Sequence, residues 1–131
     1  MARQRYFTNA RIGLSGSIRC LASEDIQAGS IVTVVGTTQN IFTVALFDCT
    51  NKKKSTGILL VAPRKMSMGG NIELVPYCSV PYVGEGKAGD PLFATRKGKW
   101  GTKSTKTSIQ VGFLVEGKTS LEAVLAPQGR Y

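Results

Sequence analysis

The stretch Ala88-Gly89-Asp90-Pro91-Leu92-Phe93-Ala94-Thr95-Arg96-Lys97-Gly98-Lys99-Trp100 constrains the fold more than any other. A small polar turn leads into a short apolar strand, and a basic Gly turn comes next, ending in the single Trp. A weaker copy of its opening stands earlier, at Gln27-Ala28-Gly29-Ser30-Ile31-Val32-Thr33-Val34. The segments downstream of the two copies also match. Ala28-Gly29 is succeeded by Gly57-Ile58-Leu59-Leu60-Val61 and Ile72-Glu73-Leu74-Val75. Ala88-Gly89 is succeeded by Gly112-Phe113-Leu114-Val115 and Leu121-Glu122-Ala123-Val124. The order is kept while the intervals shrink, as expected when strands are fixed and loops vary. This predicts two half-repeats, about 24–83 and 84–127, whose strands bury their faces only against each other.

The remaining segments are short and β-like. Ile31 to Val35 is β-branched throughout, which suits a strand. Gly36 to Asn40 reads as a turn, and Ile41 to Phe47 as a central strand, apolar on both faces. Thr56 to Ala62 is a strand stopped by Pro63. Residues 72–83 are extended, but Pro76 and Pro81 each remove a ladder donor, so this segment belongs at an edge or a bulge. Ile109 to Val115 is a strand broken at Gly112, and Leu121 to Ala126 is the last strand. No segment sustains a 3.6-residue apolar period, although 116–124 leaves room for a short helix. These features predict an all-β barrel or sandwich, expected as a single β-barrel domain over 17–131 preceded by an extended arm over 1–16.

Chemistry is sparse. There is no His, so Ser–His and Cys–His catalysis are absent. The acids are scattered, and Gly84-Glu85-Gly86-Lys87-Ala88-Gly89 lacks P-loop spacing. The chain is read as non-enzymatic and as needing no cofactor or metal. Cys20, Cys49 and Cys78 are widely spaced and odd in number, which implies free thiols in a reducing compartment. No apolar stretch approaches the roughly 18 residues of a membrane span, and the basic N-terminus has no apolar run behind it, so neither a membrane anchor nor a signal peptide is expected.

The net charge of +9 favours acidic partners. Two sites are candidates. The arm offers Arg3, Arg5, Tyr6, Phe7, Arg11, Ile12 and Leu14. The run from Arg96 to Lys106 offers Arg96, Lys97, Lys99, Trp100, Lys103 and Lys106, where Trp100 either stacks on a base or folds back onto the barrel. Tyr77 and Tyr82 face opposite sides of their extended segment, so no aromatic platform is expected.

The pattern Ala88-Gly89-Asp90-Pro91-Leu92-Phe93, Lys97-Gly98-Lys99, a long polar gap, Val111 to Gly117 and Leu121 to Leu125 resembles the capsid decoration (cement) proteins of tailed bacteriophages. Ala28 to Val32 and Ser55 to Leu60 resemble that family's first half, so the resemblance covers roughly 24–126. It implies a β-tulip barrel on the outside of a phage head, made in the host cytoplasm. It further implies a homotrimer that braces the lattice of the major capsid protein. The arm from Ala2 to Leu14 matches the position of a segment that adds a strand to capsid elements, with Tyr6 and Phe7 as anchors. The strong positive charge departs from the family, leaving open whether it meets an acidic capsid surface or something else. The alternative is a single-stranded nucleic-acid-binding β-barrel built on the Arg96–Lys106 run.

Overall fold

The computed structural model describes residues 18–129. Its first five strands are β1 (Ile18–Ala22), β2 (Ile31–Thr38), β3 (Ile41–Leu46), β4 (Leu59–Val61) and β5 (Asn71–Leu74). They form a sheet in the order β4-β2-β3-β1-β5, with β1 and β3 parallel and the other pairs antiparallel. Val61 and Val75 exchange backbone hydrogen bonds of 2.8 and 3.0 Å. That bridge draws the two edges of the sheet together and curls it into a small barrel. The second five strands are β6 (Cys78–Pro81), β7 (Pro91–Ala94), β8 (Trp100–Gly101), β9 (Ile109–Glu116) and β10 (Leu121–Leu125). They form an antiparallel sheet in the order β6-β10-β9-β7-β8. The expected all-β architecture is therefore present, and no helix occurs among the described residues.

Strand alternation sorts the apolar residues into two cores. Val32, Val44, Leu60, Ile72 and Leu74 gather with Cys20, Ala22 and Ile26 inside the barrel. Ile31, Phe47, Leu59 and Val61 point the other way and meet Leu92, Val111, Leu114, Ala123 and Leu125 from the second sheet. Leu59 and Leu60 thus serve different cores although adjacent in sequence.

One turn occurs three times. In Gln27–Ser30, Ser67–Gly70 and Lys87–Asp90 the fourth amide donates to the first carbonyl. The third residue is Gly29, Gly69 or Gly89, at φ 83°, 87° and 97°. These are type II turns, and the left-handed third position favours Gly. Each is anchored alike. Gly29 donates to the Ala62 carbonyl, Gly69 to Ala22 and Gly89 to Leu114, while the amides of Ala62, Ala22 and Leu114 donate back to Ser30, Gly70 and Asp90. The first two turns are related reciprocally: Ala22 and Ala62, Ile26 and Met66, and Gly29 and Gly69 stand at one common offset. Ile26 and Met66 pair directly through two 2.8 Å bonds. The Ala28-Gly29 and Ala88-Gly89 echo thus has a shared conformation. Its third occurrence, at Met68-Gly69, lacks the Ala-Gly spelling that marked the other two.

Several local readings are corrected. β2 runs through Gly36 to Thr38, with a bulge between Val34 and Gly36. The turn is only Gln39-Asn40, at φ 52° and 66°, the tight hairpin geometry that fits strand twist. Gly36 stands in the strand beside the bulge rather than in the turn. β3 is central, between β2 and β1, but Ile41 and Phe42 at its start are exposed. The segment 72–83 splits at Pro76 into β5 and β6, each an edge of a different sheet, so both prolines avoid ladder positions that need a donor. Gly112 does not break β9. A Cβ there would collide with the Val124 carbonyl, so Gly lets β9 and β10 approach closely. Residues 116–124 form a turn and a strand.

Candidate interaction surface

The arm candidates Arg3, Arg5, Tyr6, Phe7, Arg11, Ile12 and Leu14 lie outside the described residues. The chain leaves them and enters the barrel at Ile18, on an apolar rim. Ile18 starts β1, Phe42 lies near the start of β3, and Ile58 precedes β4. All three strands run in the same direction through their pairings. By two-residue spacing these side chains share a face with the barrel residues Cys20, Val44 and Leu60. They are 38%, 39% and 54% exposed. This end of the barrel is therefore open and apolar, whereas the other carries the Ile26–Met66 bridge.

The basic run is folded into a seat. Lys97 and Gly98 take φ 57° and 72°, and Lys99 donates to the Arg96 carbonyl at 3.1 Å. Gly98 then wedges between β2 and the end of β3. Ile31 donates to the Gly98 carbonyl at 3.0 Å, Gly98 to Phe47 at 2.8 Å and Phe47 back to Ile31 at 3.0 Å. This ring of three bonds fastens the second sheet to the barrel. The next residue but one closes a further link: the Trp100 indole donates to the Gly29 carbonyl at 2.7 Å. Its ring stacks on Tyr82, with centroids 6.2 Å apart and planes 30° from parallel. Trp100 is half-buried against the second core. Tyr82 is half-buried too, while Tyr77 is exposed, in keeping with their spacing.

Arg96, Lys97, Lys99 and Lys106 line one open groove of about 660 Å³, together with Cys49 and four threonines. Lys103 lines a neighbouring hollow with Tyr82, Glu85 and Trp100. The fold adds a second basic loop, remote from this run in sequence. Asp48 and Lys54 close the loop bearing Lys52, Lys53 and Lys54 through a 3.1 Å backbone bond. Cys49 ties that loop to the run by donating its amide to the Thr95 carbonyl at 2.8 Å. The Thr107 hydroxyl reaches the Cys49 sulfur at 3.2 Å. Three loops carrying eight of the chain's 17 Lys and Arg residues therefore converge on Cys49.

The acids at this cluster are already engaged. Asp48 accepts the Thr50 hydroxyl at 2.6 Å and its amide at 2.9 Å. The hydroxyl bond first, then the amide bond, hold its carboxyl below the usual range, with Arg96 at 3.9 Å adding to them. Glu24 accepts the Leu46 amide at 3.0 Å and faces Lys54 at 3.4 Å.

A third surface is apolar. The outward residues of the second sheet include Phe113, Pro91, Phe93, Val115 and Val124, and the one charged member, Glu122, accepts the Ser79 hydroxyl at 2.9 Å. Cys20, Cys49 and Cys78 are free thiols. Burial pushes the Cys20 thiol up to about 11 and raises that of Cys78, away from nucleophilic reactivity.

No protein-family model and no curated protein matches the sequence. Among solved structures, the fold is similar to the head fiber gp8.5 N base of bacteriophage phi29, with a TM-score of 0.55 at 16% identity. The match covers 88% of this chain and 96% of that one.

Proposed function

We propose that this chain is a structural, non-enzymatic virion protein of a bacteriophage, bound to the outside of the head, where it stabilises the lattice of the major capsid protein. One observation carries the reading: nearly the whole chain shares its fold with nearly the whole base of a phage head fiber. In this reading residues 1–16 form the capsid-binding arm, with Tyr6, Phe7, Ile12 and Leu14 as apolar anchors and Arg3, Arg5 and Arg11 as charged ones. Residues 17–131 form a single barrel domain from two related halves. The protein is made in the host cytoplasm and sits on the capsid as a homotrimer. The open apolar rim at Ile18, where the arm joins, supports the arm as a point of attachment.

The reading is tested by co-sedimentation with assembled shells. The full chain is expected in the pellet at a copy number set by the shell lattice. A chain lacking residues 1–14 is expected to fold and remain in the supernatant. Equal occupancy by both would remove the arm from the interface. The single-stranded nucleic-acid alternative is weakened by Trp100, whose N–H and ring are committed within the fold.

A further inference from the structure

We infer that the loop cluster around Cys49 docks this protein onto a carboxylate-rich protein surface, the acidic outer face of the shell. The inference rests on the capsid reading above. It begins from the convergence of two lysine-rich loops that are remote in sequence. Like charges on neighbouring loops repel, and folding holds these together through backbone bonds at Cys49, Thr95 and Asp48. An opposing anionic surface relieves that repulsion, and loops held in place lose little entropy on docking.

The cluster's own carboxylates leave most of this charge unbalanced. Asp48 and Glu24 each face one cation, Arg96 and Lys54. Lys52, Lys53, Lys97, Lys99 and Lys106 remain exposed. Between them the open groove presents Thr105, whose hydroxyl accepts the Ser108 amide and can donate to a carboxylate oxygen, whereas Thr50, Thr95 and Thr107 give their hydroxyl protons to Asp48, the Lys99 carbonyl and Cys49.

A protein surface fits this chemistry better than a nucleic acid. Single-stranded sites pair their cations with aromatic faces on which bases stack. The one Trp here gives its N–H to Gly29 and its ring to Tyr82.

The test compares the full-length protein with two triple variants of equal net charge. Lys53→Glu/Lys99→Glu/Lys106→Glu reverses the cluster, and Arg64→Glu/Lys65→Glu/Lys118→Glu reverses exposed cations elsewhere. All six positions are exposed, and matching thermal unfolding verifies the fold of each variant. The probes are assembled shells, immobilised poly-L-glutamate and a thymidine oligonucleotide. The cluster variant is expected to bind shells at least about tenfold more weakly at low salt and to leave polyglutamate at lower salt than the control. Equal losses in both variants would show that net charge alone suffices and would overturn the inference. Tighter binding to the oligonucleotide than to polyglutamate would overturn it in favour of a nucleic-acid site. If the unaltered protein does not sediment with shells, the capsid reading fails. Polyglutamate then decides the cluster's chemistry by itself: selective loss by the cluster variant supports a carboxylate site, and equal loss removes it.

Discussion

The indole N–H of Trp100 donates to the carbonyl of Gly29 across 2.7 Å, joining the second sheet to the first of the three type II turns. The bond ties the end of the basic turn to the Ala28-Gly29 turn, whose echo at Ala88-Gly89 opens the same stretch. Trp100→Phe keeps most of the apolar contact with Tyr82 but leaves a half-buried carbonyl without this donor. The expected cost is about 1 kcal/mol, read as a lower urea midpoint with an unchanged slope. Because the ring is already occupied, an added thymidine oligonucleotide should leave the Trp emission unchanged. A marked quench would return Trp100 to the list of base-stacking groups.

Gly98 is the more demanding position. Its φ of 72° is left-handed, and a Cβ would lie 2.8 Å from Leu46 Cδ2 and 3.0 Å from the Ile31 carbonyl. Gly98→Ala is therefore expected to cost about 2 kcal/mol through strain and crowding. Gly36→Ala meets open space at an ordinary φ and is expected to be neutral or to stabilise by under about 1 kcal/mol. Since Gly98 fastens the second sheet to the barrel, chemical unfolding of the parent protein should be one transition. Far-ultraviolet dichroism and Trp fluorescence should report the same midpoint. Separate midpoints would show that barrel and second sheet unfold independently.

These two residues also show what was legible in the sequence. The Ala28-Gly29 and Ala88-Gly89 turns were readable because a type II turn favours Gly at its third position, so the demand is local. The edge placement of β5 and β6 came from proline's missing donor, again a local property. Gly36 misled because bulges and turns both accept Gly, and only the cross-strand register tells them apart. Gln39-Asn40 carries no Gly, although it takes the left-handed turn. The convergence of the Lys52–Lys54 loop with Arg96–Lys106 was not legible at all. It depends on the Cys49–Thr95 bond, a contact between distant segments that leaves no mark in either one.

Thr33 is a buried polar residue with a clear expected outcome. It is fully buried, and its hydroxyl has no hydrogen-bond partner among the described residues. A buried hydroxyl without a partner carries its desolvation penalty uncompensated. Thr33→Val replaces it with a methyl of similar shape and suits the strand. The variant is expected to be more stable by about 1 kcal/mol. A destabilised variant would mean that the hydroxyl has a partner when the whole chain is folded.

Cys20 links the barrel interior to pH. Its side chain is fully buried, and burial raises its thiol from 9.0 to about 11 by penalising the thiolate. The unfolded chain therefore releases this proton near pH 9.0, while the folded chain holds it to about 11. Across that window the unfolded state binds fewer protons, so stability falls as pH rises. Cys78 is shifted in the same direction, also by burial. The Cys20 part is isolated by substitution. Cys20→Ala is expected to cost about 2 kcal/mol at neutral pH through lost packing, yet to show a shallower decline between pH 9 and 11. Urea midpoints measured across the window for both proteins decide the point, and parallel declines would remove Cys20 as the source of the alkaline slope.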